Sequence, residues 1–219
     1  MKNSLKLAVA ASAISMATPA LAEFELSAYT GWQNANDSTV TGTYPQTGAQ
    51  IDATVGWDGK SFEAPPYYGL RGTWWRTDNF GWGVEFTHSK VYADEDDARA
   101  IGFSGLEFTD GLNILTANAM YRWPSAALGA TPYVGAGLGI SVPHVDVNST
   151  NGSDTFGYQF GGPAARLTAG MSYDLTERTA LFTEYQYTIS DNEVELDGGG
   201  SLSTVIETNA INFGVSLRF

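Results

Sequence analysis

Apolar and polar residues alternate along most of this chain, in eight runs of about ten residues, the period of a β-strand with two unlike faces. Residues 24–33 put Phe24, Leu26, Ala28, Thr30 and Trp32 on one face. Residues 67–77 set Tyr68, Leu70, Gly72 and Trp74 against Gly69, Arg71 and Thr73, and residues 80–91 set Trp82, Val84 and Phe86 against Gly83, Glu85 and Thr87. The pattern returns at 112–123, 132–142, 164–175, 179–189 and 204–219. Runs of this length match a strand that crosses a bilayer at a tilt, with lipid on one face and a lumen on the other. The connections alternate in length. Those at 77–79, 124–131 and 176–178 are short, and those at 34–66, 92–105, 143–162 and 190–203 are long. The pattern predicts an all-β fold, an eight-stranded antiparallel transmembrane up-and-down β-barrel over residues 23–219. Its short turns and both ends face the periplasm and its long loops face outward. A short hairpin of its own is expected near 49–57 inside the first long loop.

The two ends agree with this reading. Phe219, Leu217, Val215, Phe213 and Ile211 alternate with Arg218, Ser216, Gly214 and Asn212. A terminal Phe with apolar residues two, four and six places back resembles the C-terminal signal of bacterial outer-membrane barrels, which implies recognition by the barrel-assembly machinery. At the other end, Lys2 and Lys6 precede an apolar run over 7–16 and then Thr18-Pro19-Ala20-Leu21-Ala22. That is the layout of a secretory signal peptide over residues 1–22, too short for a membrane helix.

Without Lys2 and Lys6 the 11 basic residues become 9 against 24 acidic ones, and the net charge moves from −13 to −15. A chain so acidic is excluded as a nucleic-acid binder. It has no cysteine, hence no disulfide and no thiolate chemistry. Outer-membrane lipid and lipopolysaccharide are the expected partners, and the chain is expected to act as a monomer.

Two groups of residues carry charge where chemistry could occur. Arg71, Glu85, Arg122, Arg166, Glu184 and Arg218 fall on the lumen phase. A barrel of eight strands is filled by its own side chains, so these are expected to pair as lumen filling rather than to catalyse. The second group lies where the third and fourth strands reach the outer rim: Glu85-Phe86-Thr87-His88-Ser89-Lys90-Val91-Tyr92 and Gly105-Leu106-Glu107-Phe108-Thr109-Asp110-Gly111-Leu112-Asn113. There His88 and Lys90 point outward. His88 would accept a proton near neutral pH. Glu107 and Asp110 would orient it or hold a divalent cation. Lys90 would meet a lipid phosphate, with Asn113 beside it on the substrate. The same spacing also fits a polar rim without chemistry.

These stretches resemble the bacterial lipid A oxidase family. The likeness lies in Tyr67-Tyr68-Gly69-Leu70-Arg71, Phe86–Ala93, Leu106–Asn113 and Asn118-Ala119-Met120-Tyr121-Arg122-Trp123. The family consists of small outer-membrane barrels of α-proteobacteria. The resemblance implies oxidation of the proximal glucosamine of lipid A to 2-aminogluconate, with molecular oxygen as co-substrate and a divalent cation as a possible cofactor. Its specific part covers about residues 65–123. The outer-membrane 3-O-deacylase family uses a His-x-Ser pair, whereas here Ser89 directly follows His88 and so points to the other face, and His144 has no Ser two places on. The competing class is a non-catalytic barrel of the outer-membrane-protein A/W type, with a structural, adhesive or minor transport role. Its acidic loops, Asp94-Glu95-Asp96-Asp97 and Asp191, Glu193, Glu195 and Asp197, lack EF-hand spacing. No flavin, nucleotide or haem motif is present.

Overall fold

The computed structural model describes residues 23–124 and 129–219, without the side chains of Thr109 and Asp110. The leader read over residues 1–22 lies outside the described residues. Eight strands close into a ring: β1 (Glu23–Ala35), β5 (Tyr68–Trp75), β6 (Phe80–Ala93), β7 (Phe103–Arg122), β8 (Ala130–Ser149), β10 (Gly162–Asp174), β11 (Thr179–Leu196) and β12 (Gly200–Arg218). All neighbours are antiparallel, and β1 seals the ring against β12 from Glu25↔Arg218 to Ala35↔Thr208. The remaining elements sit at the end opposite the short turns. They are β2 (Ser38–Thr43) and β3 (Gln50–Val55), which form a hairpin against β12, then β4 (Trp57–Asp58) against β6, α1 (Glu95–Ala100), and β9 (Asp154–Tyr158) against β8.

The wall is apolar where the sequence pattern placed lipid. Leu138 and Leu167 are 74% and 58% exposed on it. Trp74 stacks on Trp82 near the short turns, and Trp32 meets Phe62 and Phe213 edge-on at the other border. Such rings favour the two interfaces of a bilayer.

The strands run much farther than expected. β7 and β8 have 20 residues each, β12 has 19 and β11 has 18, against about 9–11 needed to cross a membrane. Most of the loops expected at 143–162 and 190–203 are therefore strand, while the one at 92–105 holds α1 between the ends of β6 and β7. In these outer halves the pattern inverts. Along β11 the outward residues Leu181, Tyr185 and Tyr187 give way to Asp191, Glu193 and Glu195, while the buried residues change from Glu184 and Gln186 to Val194 and Leu196. The barrel thus has two stacked interiors. The membrane-level lumen is polar. Above it lies an apolar core that includes Val40, Val55, Trp57, Val91, Phe103, Phe108, Val145 and Ile206. The β2–β3 hairpin and α1 pack into this upper tier and close it; the hairpin spans residues 38–55, so the expected span 49–57 held only its second strand.

The lumen is filled by pairing large inward side chains with glycine. A Cβ on Gly69 would stand 2.0 Å from the ring of Tyr29, so only glycine leaves room for that ring.

Candidate functional site

At the centre of the lumen two carboxylates meet two guanidinium groups. Arg71 donates to both oxygens of Glu184, at 3.2 and 2.9 Å, and lies 3.6 Å from Glu85. Arg166 lies 3.1 Å from Glu85. Tyr29, Asn118 and Gln186 donate to Glu85, and Tyr133 and Asn212 donate to Glu184. The four charges cancel and all are buried. Each carboxylate has several donors, as buried charge requires. The void beside Arg71 is about 20 Å³, room for about one water. This is a structural plug.

Arg122 and Arg218 do not join it. Both lie at strand ends near the short turns, which corrects the six-membered lumen network expected from the sequence. Arg122 pairs with Glu23 at 2.9 Å and covers the Trp75 ring at 4.0 Å, and Arg218 pairs with Glu25 and Asp174 at 3.2 and 2.8 Å. The phase of the strands gave their direction but not their depth. Tyr29, Tyr67 and Tyr133, which the sequence reading did not place in the lumen, are lumen residues. The signal was their inward phase, opposite to that of the belt rings.

The rim residues fall into two places. His88 stands opposite Asn113 in the β6–β7 register, with Tyr68 on its other side. Its Nδ1 is 3.1 Å from Asn113 Oδ1, and its ring stacks on Tyr68 at 5.2 Å. As oriented, Asn113 Oδ1 accepts from Nδ1–H, which puts the ring's lone pair on Nε2. The register between β6 and β7 breaks just above this pair, where Gly111 takes φ +110°. A Cβ there would lie 2.3 Å from His88 Nδ1 and 2.6 Å from Asn113 Oδ1. The niche around the imidazole therefore requires glycine.

His88 and Lys90 sit on the outward phase, yet they are only 5% and 0% exposed. The cause is a gap in the wall. β5 starts at Tyr68, and above it residues 59–67 occupy its place between β1 and β6. Ser61 Oγ accepts from Gln33 N and donates to Gln33 O, Gln33 Oε1 accepts from Lys90 N, and Lys90 Nζ donates to Glu63 O at 3.0 Å. Pro65 and Pro66 lack the N–H groups that a strand there would need.

Glu107 is not His88's orienting group. It stands opposite Tyr92 and Asp146, four residues farther along β6 than His88, or about 13 Å. Asn113 has the orienting role instead, and the side chain of Asp110 lies outside the described residues. Partial burial raises the Glu107 pKa, Asp146 raises it further, and Lys60 and Lys90 act against this. An upward shift means that the fold favours the neutral carboxyl. Its contribution to stability is present below the ordinary carboxylate range and is lost as pH rises through the raised midpoint. Asp146→Asn is expected to lower the Glu107 midpoint. An NMR titration of the Glu107 carboxyl reads this directly, and an unmoved midpoint would refute the coupling.

Among the described residues no three His, Asp or Glu side chains are grouped closely enough to hold a metal ion. The described donor set does not fit the divalent cation. His144 lies elsewhere, held edge-on by Phe156 and Tyr158 at 4.5 and 4.6 Å.

Comparison with known proteins agrees with the architecture. Neisserial surface protein A (NspA) superposes with a TM-score of 0.50 at 18% identity, over 90% of this chain and 97% of its own. The outer membrane protein OprG from Pseudomonas aeruginosa superposes with a TM-score of 0.51 at 15% identity, over 90% and 96%. Identities this low speak for the fold alone. No curated protein matches the chain by sequence. The family model described as "Outer membrane protein beta-barrel domain" matches residues 7–219. This chain belongs to that family, and it is an eight-stranded β-barrel of the outer membrane.

Proposed function

We propose that this barrel modifies lipopolysaccharide at its outer rim, as an oxygen-dependent oxidase of the proximal glucosamine of lipid A. The observation that carries the reading is the His88 niche. A histidine is held in one tautomer by Asn113, against Gly111, on the outward phase just above the lipid-facing Phe86. In this reading Nε2 takes the proton of the sugar's C1 hydroxyl. C1 gives up two electrons, dioxygen accepts them with two protons to become hydrogen peroxide, and water opens the resulting lactone. The sugar gains one oxygen atom and becomes 2-aminogluconate. Because His88 is buried, its cover has to open to admit the sugar. The resemblance of the stretches around Tyr68, His88 and Asn113 to the lipid A oxidase family supports the same reaction. Solute passage gains no support from a lumen filled at membrane level and capped by an apolar core.

The test is mass spectrometry of lipid A from an aerobically grown strain that expresses the chain. The expected product carries one additional oxygen atom on the proximal sugar. His88→Ala is expected to reduce its formation by about 10²–10⁴-fold with the barrel still folded. Unchanged lipid A in the strain expressing the natural chain would refute the oxidase reading.

A further inference from the structure

Above the lipid-facing wall the outward positions of the ring turn polar, but one segment does not follow. β9 carries Phe156 and Tyr158 outward and Phe160 comes next, and these rings are 70%, 61% and 65% exposed. The neighbouring strands fix their height. Phe156 stands opposite Asp146 and Tyr158 opposite His144 on β8, beside Val145 and Val147 of the upper apolar core. On the other side Gly161 O accepts from Glu193 N at 3.1 Å, and the Gln159 side chain bonds the N and O of Glu195 at 2.9 and 2.8 Å. The rings therefore lie level with the exposed carboxylates of β11. Carboxylates on the outer wall are costly in hydrocarbon, so this level belongs to the headgroups and not to the acyl chains.

A contiguous row of exposed rings outside hydrocarbon marks a surface that something covers. The row is also held in shape. His144 is on the outward phase yet 4% exposed, because it lies beneath the row, edge-on to Phe156 at 4.5 Å and to Tyr158 at 4.6 Å. Neighbours on one face of a strand are about 7 Å apart, so the rings stand as steps. Beside Phe160 the surface opens into a groove of about 520 Å³, lined also by Pro163, Asp191 and Glu193. Ring faces carry partial negative charge and attract weakly positive C–H groups, and carboxylates accept from hydroxyls. A sugar ring offers both kinds of group. The same carboxylates repel a phosphate, and they disfavour a second copy, whose own acidic row would be brought against them.

We propose that Phe156, Tyr158 and Phe160 form a stacking platform for the uncharged saccharide part of an outer-leaflet glycolipid, with Asp191 and Glu193 accepting hydrogen bonds from its hydroxyl groups. Position identifies the source of the sugar. The platform faces sideways along the leaflet, and it continues the lipid-facing wall upward from the exposed Pro163 and Leu167 of β10. A saccharide anchored in that leaflet meets it by diffusing in the plane of the membrane. The platform goes beyond the oxidase reading and does not depend on it, since that reading uses His88 on β6.

The test uses the full chain purified in detergent micelles and native mass spectrometry. The probes are lipid A alone and lipid A extended by a core of neutral hexoses, both equally phosphorylated, and the competitor is the oligosaccharide released from the second. The natural chain is expected to prefer the sugar-extended lipid by about tenfold. A Phe156→Ser, Phe160→Ser double variant changes exposed positions only, so it is expected to fold and to bind the two lipids equally. Phe156→Trp with Phe160→Trp restores ring faces and is expected to restore the preference. Tyr173→Ser, at an exposed ring near the short turns, is expected to leave it unchanged. Equal binding by the natural chain would overturn the proposal, and so would a preference that survives the double serine variant. Displacement by the released oligosaccharide at the concentration of the lipid would overturn the membrane source. Dimers of the natural chain that vanish in the double serine variant, without glycolipid present, would make the row a contact between copies instead.

Discussion

Replacing Glu85 with alanine is expected to lower the unfolding free energy of the barrel by about 3–5 kcal/mol. Glu85 is 1% exposed and faces both lumen arginines, with Arg166 at 3.1 Å and Arg71 at 3.6 Å. It also accepts from Tyr29, Asn118 and Gln186. Removing it leaves Arg166 without its paired carboxylate and takes an acceptor from three polar side chains, of which Tyr29 and Gln186 keep weaker partners in Thr87 and each other, in a space where water is scarce. Glu85→Gln should cost less, because it keeps an acceptor oxygen while losing the charge. Urea titration of the refolded barrel, followed by tryptophan fluorescence, measures both. A loss below about 1 kcal/mol for the alanine variant would show that water fills the lumen and screens the pair.

The second large effect belongs to the upper tier. Phe108→Ala is expected to cost about 3–5 kcal/mol of local stability. Phe108 is 1% exposed, stacks on Trp57 at 6.1 Å and stands opposite Val91. Its loss should loosen α1 and the β2–β3 hairpin, both of which pack on this core, although β2 stays paired with β12. The membrane-level plug has no contact with Phe108 and should keep the ring closed. Limited proteolysis of intact cells separates the two tiers. Cleavage should rise in the outer segments, while the barrel retains its anomalous mobility on unheated gels. If the whole barrel loses that mobility, the tiers unfold as one unit.

The contrast between the tiers explains what the sequence disclosed. All eight ring strands were legible because their apolar phase faces lipid, and Arg71, Glu85, Arg166 and Glu184 were legible as lumen residues because they occupy the opposite phase. The outer halves were not legible by the same rule. Above Tyr187 the apolar positions of β11 turn inward and the acidic ones outward, so a reading that assigns apolar residues to lipid ends the strand at the crossing. The rim was legible in part. Alternation placed His88 outward. It also began β5 at residue 67, next to its observed start at Tyr68, but it could not show that residues 59–67 fill the gap above that start and bury Lys90, because that cover depends on side-chain contacts with Gln33. The separation of Glu107 from His88 was hidden for a related reason. The irregularity at Gly111 shifts the register between β6 and β7, and alternation assumes a register without shifts.

The inversion along β11 also acts as a depth gauge. If the barrel sank by one rung, Asp191 would be carried toward hydrocarbon, and charged residues on the lipid face grow costlier with depth. If it rose by one rung, rings such as Tyr187 would leave the interface that favours them. The crossing point fixes the height of the protein against the leaflet, and with it the height of His88. A surface group that meets a lipid headgroup needs no tether when the wall beneath it already sets the distance.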